Sequence, residues 1–384
     1  MLKLAVGHSN DPETQFAITE VLDQIHRHHL GLSPKAGILF SAIDFDHALI
    51  LDRVTKAFPE IALIGGTTDG EMSSVLGFEQ DSLTLIVFFS DDITITAGIG
   101  HRISQDAIAA CQAAVQQASL AHTEKIQFCI SLPESSTTSG VLILDCLKQA
   151  LGKQVPIFGG LTADQWRSQQ TYQFFNNEVC SDAVSILLFS GPILFSHGIS
   201  SGWQPIGKPG RVTKAEKNRV YEIDGRPALA FYHRYLGALP PSSEYPLALF
   251  DADSNRFYMR APSGIYDSAN GNITFFGDVP AQSIVQIAET THDDILSASR
   301  LSTLQALENY PGQTPAVALF FSCASRRQIL GSRTREEYEQ AQRCLTHPLP
   351  SCGFYTNGEI APLQQQGDTY FHNETFITLL LGEA

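Results

Sequence analysis

The chain has 384 residues, of which 43% are hydrophobic and 17% charged, so it is long enough for two globular domains and too apolar for a disordered protein. Its 40 acidic residues outnumber its 25 basic residues, giving a formal net charge of −15, and the longest basic cluster is Arg326-Arg327. Nucleic acids and anionic membranes are therefore excluded as expected partners, because both require a concentrated positive patch.

The chain lacks the sequence features of an exported or membrane-inserted protein. Its longest apolar runs, such as residues 83–89, have the length of a strand, whereas a membrane span needs about 20 residues. The start of the chain has no apolar stretch long enough for an export signal. Seven scattered cysteines without a C-x-x-C pair are typical of reduced thiols. We therefore expect a cytoplasmic protein.

The first predicted element is an amphipathic helix near the N-terminus. Asp11 can cap it, Pro12 suits its first position, and Gly31 follows its end. Apolar residues recur at helical spacing between these limits, which predicts one face packed on a sheet. Further along, the segment 96–100 before His101 is interpreted as a turn because it contains two glycines.

Three later segments share one pattern of a buried strand, a helix, a glycine-containing turn and a second strand. The predicted elements are 37–41, 46–57, 62–71 and 82–89 in the first unit, 126–131, 137–151, 156–164 and 183–189 in the second, and 316–323, 335–345, 351–359 and 374–381 in the third. Their strands are continuous apolar runs, which indicates burial beneath helices. Glycines at the same place in each unit predict a positive φ or a close backbone approach.

Between the second and third units, residues 202–210 are rich in Gly and Pro, as is typical of a domain boundary. A polar stretch, a short helix starting near Pro227 and a hairpin-like region at 247–276 follow. The predicted fold class is α/β, with internally repeated strand-helix-turn-strand units forming two packed α/β domains, residues 1–205 and 206–384.

Four segments spread along the chain are together specific for a known family. They are IGGTTDGE at 64–71, GWQPIG at 202–207, EIDGRPAL at 222–229 and GFYTNGEIAP at 353–362. With these segments the chain resembles the FIST family over nearly its whole length, as a FIST N-terminal domain followed by a FIST C-terminal domain.

The resemblance implies a sensory protein of bacterial signal transduction, with amino acids among the suggested ligands. Stand-alone members of the family resemble haem-based nitric-oxide sensors that act on histidine kinases and cyclic-di-GMP pathways. No fused output domain is recognised here, so the signal is expected to pass to a separate protein such as a histidine kinase. A homodimer is one of the expected assemblies.

Ligands of open α/β sheets bind where loops leave the carboxyl ends of strands, which singles out two loops here. The loop 131–140 offers backbone N–H groups and hydroxyls to an anion, or simply caps the helix that follows. The loop 323–327 resembles the Cys-x-x-Arg step of the FIST C-terminal half, where Arg326 would bind a ligand carboxylate or a haem propionate. Cys323 in the same loop leaves a thiol-dependent enzyme as an alternative.

The segment 370–375 resembles the His-Asn step of family members, and this resemblance implies non-covalent haem b with His372 as the metal ligand. Covalent haem is excluded because no C-x-x-C-H is present. Two alternatives stay open for His372: it stabilises a turn, or it binds the carboxylate of an amino acid together with Asn373. The aromatic candidates for the walls of the pocket are Trp203, Phe354 and Tyr355. Other histidines that compete as ligands are His101, His197, His233 and His292.

Overall fold

The computed structural model describes residues 2–27, 33–250, 256–345 and 349–384, which form a mixed α/β structure. The first of three repeats contains, in chain order, β1 (Lys3–Ser9), α1 (Thr14–Arg27), β2 (Pro34–Ser41), α2 (His47–Ala57), β3 (Ala62–Thr67), β4 (Glu71–Ser73), β5 (Gly77–Glu79) and β6 (Leu83–Phe89). The second contains β7 (Thr94–His101), α3 (Ala107–Ser119), β8 (Ile126–Pro133), α4 (Gly140–Leu151), β9 (Ile157–Gly160), β10 (Gln173–Phe175), β11 (Glu178–Cys180) and β12 (Ala183–Ser190).

The third repeat is interrupted after its first strand, β13 (Ile193–Ser200), by an inserted β domain. The insert contains β14 (Gln204–Glu216), β15 (Arg219–Ile223), β16 (Arg226–Pro227), α5 (Ala228–Leu236), β17 (Leu247–Phe250), β18 (Phe257–Arg260), β19 (Pro262–Asp267), β20 (Asn272–Phe275) and β21 (Ile284–Glu289). The repeat resumes with α6 (His292–Glu308), β22 (Val317–Cys323), α7 (Ala324–Leu330), a 3-10 turn (Gly331–Arg333), α8 (Thr334–Gln342), β23 (Ser351–Thr356), β24 (Glu359–Pro362), β25 (Thr369–His372) and β26 (Phe376–Glu383).

Each repeat forms the main part of one six-stranded sheet, and a hairpin from another repeat completes that sheet. The strand orders are β1-β6-β2-β3-β10-β11, β7-β12-β8-β9-β24-β25 and β13-β26-β22-β23-β4-β5. The second repeat thus completes the first sheet, the third completes the second, and the first completes the third. The three sheets close into a ring with pseudo-threefold symmetry.

The glycines expected at equivalent places in the units are there, and they allow two neighbouring strands to approach closely. A Cβ at each of these glycines would lie about 2 Å from a carbonyl oxygen of the parallel strand beside it. The pairs are Gly65 with Leu39, Gly159 with Ser131, and Gly353 with Phe320, all in the same register. The topology therefore confirms the repeated strand-helix-turn-strand pattern.

The interpretation of residues 96–100 as a turn is wrong, because they lie within strand β7. Gly98 lets this strand lie directly against helix α3, since a Cβ there would be 2.1 Å from the carbonyl oxygen of Ala114. Gly7 and Gly198 occupy the equivalent positions of β1 and β13 and face their own helices in the same way. Packing against a helix explains these glycines.

The inner faces of the three sheets share one core, while helices cover their outer faces. Phe354, predicted as a pocket wall, lies in this shared core, with its ring stacked on Phe40 at a centroid distance of 4.5 Å. The helix predicted at 335–345 is found as α8, whereas α7, which precedes it, was not predicted. Three consecutive residues of α7 are buried, 324–326, which hides the periodicity of an amphipathic helix.

The inserted domain is built on a separate antiparallel sheet with the order β18-β17-β21-β14-β15-β20-β19, and β16 pairs with β15. The boundary expected at 205–206 falls at the start of β14, where the chain enters this domain. Upstream of it, β13 pairs along its full length with β26 near the C-terminus. In the segments described, no helix combines the length and apolarity needed to cross a membrane.

Candidate functional site

The predicted site residues are divided between two clefts and the protein interior. His372 and Trp203 line a cleft of about 690 Å³, which we call the histidine cleft. Asn373 and Cys323 line a second cleft of about 810 Å³, which we call the strand-end cleft. Arg326, Tyr355 and Phe354 line neither of them.

The strand-end cleft lies where loops leave the carboxyl ends of β8, β9, β22 and β23, as expected for an α/β sheet. The inserted domain supplies the opposite wall. Its lining includes residues 104, 135–140, 164, 166, 168, 217, 218, 276, 278, 323–325, 356, 357 and 373. One bound molecule could therefore contact two repeats and the insert at once.

Charged groups of both signs line the strand-end cleft. Lys217 comes from the insert, Asp278 follows the insert strand β20, and Asp164 follows β9. Asp278 accepts a hydrogen bond from Ser139 Oγ at 3.1 Å, and Asp164 accepts one from the backbone N–H of Gln169 at 2.7 Å. These two hydrogen bonds use one oxygen of each carboxylate, so the second oxygen can contact a ligand. The cleft thus offers partners to a cationic and an anionic group of one ligand.

The rim of the strand-end cleft is aromatic, and its backbone adopts unusual conformations. Trp166 and Phe276 form an edge-to-face pair with ring centroids 6.3 Å apart, and each is about 40% exposed. Trp166 has a φ of 62°, Ser168 of 53° and Lys217 of 52°, all in the left-handed region. Non-glycine residues rarely adopt such angles, and they concentrate at functional sites.

The loop after β8 holds an anion that belongs to the protein itself. The Glu134 carboxylate accepts hydrogen bonds from the backbone N–H groups of Ser136, Thr137 and Thr138 at 2.6, 2.9 and 2.7 Å. These N–H groups are among those expected from the sequence to bind an external anion. The carboxylate occupies them, so the loop presents mainly its hydroxyl groups to the cleft.

The floor of the strand-end cleft is formed by Cys323, behind which two carboxyl groups are buried. Burial and the nearby Glu359 and Glu374 carboxyls raise the pKa of the Cys323 thiol. Burial also raises the pKa of Glu359 to about 8 and that of Glu374 well above its usual range. A nucleophilic cysteine needs a lowered pKa, so these surroundings do not favour a thiolate.

Glu359 differs from its counterparts in the other two repeats, Glu71 and Gln173, which occupy the same register position. Glu71 accepts hydrogen bonds from Thr68 and Ser82 on its two oxygens, and Gln173 is likewise bonded at both ends of its amide. Glu359 accepts from Thr375 through Oε2, while its Oε1 has no partner. The third repeat therefore leaves a carboxyl oxygen unpaired beneath the cleft.

Arg326 is buried in the third repeat and does not face a ligand cleft. Its five N–H groups reach Glu337 and the carbonyl oxygens of Ser201, Ile295 and Glu374. Tyr355 donates to the same Glu337 carboxylate at 2.7 Å. With its donors engaged, Arg326 joins the insert's first residues to the repeat and has no N–H left for a propionate.

The histidine cleft contains two buried imidazoles with similar hydrogen bonds. His372 Nε2 donates to the carbonyl oxygen of Ala361 at 2.9 Å, and His197 Nε2 donates to that of Pro362 at 2.9 Å. Their Nδ1 atoms are buried without a partner. Burial lowers the pKa of His372 to about 3 and that of His197 to about 4, so both rings are neutral. The other side chains of this cleft are a mixture of hydroxyls and amides with apolar and aromatic groups such as Trp203, Phe257 and Met259.

Sequence reasoning missed Lys217, Asp278, Asp164 and Trp166. Each lies in a turn or loop of ordinary polar composition, and their proximity depends on the placement of the insert over the second repeat. The available signal was positional: Asp164 is the last residue of the predicted glycine turn 156–164, which lies at the end of a strand.

Residues 35–226 match the model of the FIST N domain, and residues 228–362 match that of the FIST C domain. An uncharacterized protein of Methanocaldococcus jannaschii is 27% identical over 59% of this chain and 46% of its own length. One from Aquifex aeolicus is 36% identical over 20% of this chain and 28% of its own. The chain therefore spans less than half the length of these two relatives. One from Mycobacterium bovis is 21% identical over 94% of this chain and 95% of its own.

Among solved structures, cyanuric acid hydrolase from A. caulinodans aligns over 100% of this chain and 99% of its own, with 11% identity and a TM-score of 0.38. A likeness at this level does not transfer an activity.

Proposed function

Because the chain belongs to the FIST family, whose domains are sensory domains of signal transduction, we propose that its strand-end cleft binds a small zwitterion such as an amino acid. The observation that carries this proposal is the shared lining of the cleft. Residues of the FIST N part and of the FIST C part line it together, with Lys217 and the carboxylates of Asp164 and Asp278 among them. A zwitterion has a partner of opposite charge for each of its ends.

The position of the cleft suggests how binding becomes a signal. Ser139 of the second repeat is hydrogen-bonded to Asp278 of the insert, so the two parts already meet at the cleft. A ligand that contacts both parts favours the arrangement in which they are closest. The affinity of a separate partner, which we propose is a histidine kinase or a cyclic-di-GMP regulator, then depends on which arrangement is populated.

Calorimetric titration with a panel of free amino acids tests this proposal. We expect at least one to bind, and Lys217→Asn to weaken it about 10- to 100-fold, because it removes a charged hydrogen-bond partner. Asparagine tolerates the left-handed backbone at this position better than most residues. Asp278→Asn should weaken the same ligand, whereas Lys153→Asn, at an exposed site outside the cleft, should not. Binding that is equally strong in Lys217→Asn and Asp278→Asn would refute this site.

Haem is a second candidate ligand, favoured by the partnerless Nδ1 of His372 in the histidine cleft. Of the residues predicted to hold it, His372 and Trp203 fit, whereas Arg326, Tyr355, Phe354 and Asn373 lie outside this cleft. The Nε2 hydrogen bond to Ala361 fixes the tautomer that leaves Nδ1 free for a metal. Bound there, haem b would supply an iron with an open position for nitric oxide.

If haem b is the ligand, protein titrated with haemin should develop a Soret band that shifts with nitric oxide. His372→Ala should abolish the band while the circular dichroism spectrum stays native. His233→Ala, an exposed histidine outside both clefts, is the matched control and should keep it. Protein that never binds haemin stoichiometrically, or a band that survives in His372→Ala, would exclude this assignment.

A further inference from the structure

A group of three potential metal ligands lies outside both clefts. His101 ends strand β7, and Glu178 and Cys180 belong to strand β11. Their ligand atoms, one nitrogen, one carboxylate oxygen and one sulfur, all lie within 4.8 Å of one another. Glu178 and Cys180 are two residues apart on one strand, so their side chains leave the same face of the sheet.

This combination of donor atoms is one that a transition metal binds. Zn²⁺ takes its ligands from Cys sulfur, His nitrogen and Glu oxygen, and three protein ligands leave a fourth position for water. Ca²⁺ and Mg²⁺ are disfavoured here because they prefer sites made of oxygen. We propose that His101, Glu178 and Cys180 form a binding site for a divalent transition metal, of the class of Zn²⁺, with one open coordination position.

The exposure of the three side chains suits such a site. Those of His101 and Glu178 are about half exposed, and His101 Nε2 lies 4.0 Å from Glu178 Oε1. Cys180 lies beneath them and is only 5% exposed. An ion can therefore enter from solvent, where two ligands can close on it, while the sulfur stays protected.

Metal binding would also change the protonation of Cys180, since the thiolate is the form of cysteine that binds a metal. A bound divalent ion supplies the positive charge that stabilises the thiolate, and the thiol proton is released to solvent.

The site joins two different sheets of the ring. β11 is an edge strand of the first sheet, and β7 is an edge strand of the second. Beside it, the backbone N–H and the hydroxyl of Ser104 donate to the Asp182 carboxylate, and Ser104 also lines the strand-end cleft. A bound ion would therefore fix two sheet edges close to the wall of that cleft.

Titration of the full-length, chelator-treated protein with Co²⁺ tests the proposal, because Co²⁺ reports its ligands optically. We expect one equivalent to produce a thiolate-to-cobalt charge-transfer band and the visible bands of a tetrahedral ion, and Zn²⁺ to displace it. Cys180→Ser should remove the charge-transfer band. His101→Ala and Glu178→Gln change exposed side chains and should each weaken binding at least about tenfold.

Cys344→Ser is the matched control, because this half-buried thiol lies outside the group and should leave the titration unchanged. If the charge-transfer band never appears, or if Cys180→Ser keeps it, the site does not exist as proposed. Unchanged affinity in both His101→Ala and Glu178→Gln would equally overturn it, even where Cys180→Ser fails to fold. Amino-acid or haemin binding has no part in this readout, so its failure does not affect the proposed function.

Discussion

Replacing Arg326 by Met is expected to lower the free energy of unfolding by about 3–5 kcal/mol, because the change leaves the Glu337 carboxylate buried without its counter-charge. Both side chains are completely buried, and Arg326 binds Glu337 through two N–H groups. The change also removes the donors that reach the carbonyl oxygens of Ser201 and Ile295. Denaturant-induced unfolding followed by circular dichroism measures the difference.

Two further variants determine whether burial of the charge is the cause. Arg335→Met breaks an ion pair with Glu79 in which the arginine is 67% exposed, and it should cost at most about 1 kcal/mol. Arg326→Met combined with Glu337→Met should recover part of the loss, because no buried charge remains. A cost for Arg326→Met no larger than that for Arg335→Met would contradict this account. If Arg326→Met does not fold, Glu337→Gln tests the same ion pair with a smaller change, because it removes one charge and keeps the size of the side chain.

Glu71→Gln is expected to change how stability depends on pH. Burial raises the pKa of Glu71 in the folded protein to about 8, against about 4.3 in an unfolded chain. The folded state therefore keeps a proton that the unfolded state releases. This contribution to stability is complete at pH values below the pKa of Glu71 in the unfolded chain, and it is lost as the pH rises toward 8. The parent should therefore lose stability across that pH window. The free energy of unfolding of Glu71→Gln, which cannot ionise, should rise relative to that of the parent by about 1.4 kcal/mol per pH unit.

Unfolding measured at several pH values between the two pKa values provides the test, with the difference between variant and parent as the quantity of interest. Gln173 already occupies the equivalent position of the second repeat, hydrogen-bonded to the hydroxyl of Thr162, so glutamine has the right shape for such a site. Glu124→Gln, on an exposed residue, should follow the parent throughout. A constant difference between Glu71→Gln and the parent would show that Glu71 keeps an ordinary pKa.

The repeats were predictable because their signals are local. Apolar strands and glycine turns recur within each unit, and the glycines at 65, 159 and 353 do lie in equivalent places. The exchange of hairpins between repeats has no such signal, since strands such as β4 and β23 are far apart in sequence. The prediction of a turn at Gly98 fails because a glycine required by helix packing looks the same in sequence as one required by a turn.

The candidate site was predictable only in part, for a similar reason. The expectation that ligands bind at strand ends led to Cys323 and Asn373, which line the strand-end cleft. Lys217 and Asp278 belong to the insert, and nothing in the sequence indicates which face of the ring the insert covers. Arg326 was expected to bind a ligand because it belongs to the Cys-x-x-Arg motif. In the structure all of its N–H donors are hydrogen-bonded to buried acceptors of the protein.

The closed exchange of hairpins also constrains how this protein can fold as it is synthesised. When the first two repeats have left the ribosome, β10 and β11 can complete the first sheet, but the hairpin of β4 and β5 has no neighbouring strand to pair with until β23 is made. The second sheet waits for β24 and β25 in the same way. An unpaired hairpin is an edge that can pair with another chain. The ring of three sheets can therefore be completed only when the last repeat has been synthesised. Until then the unpaired strands of the nascent chain must be protected from pairing with other chains.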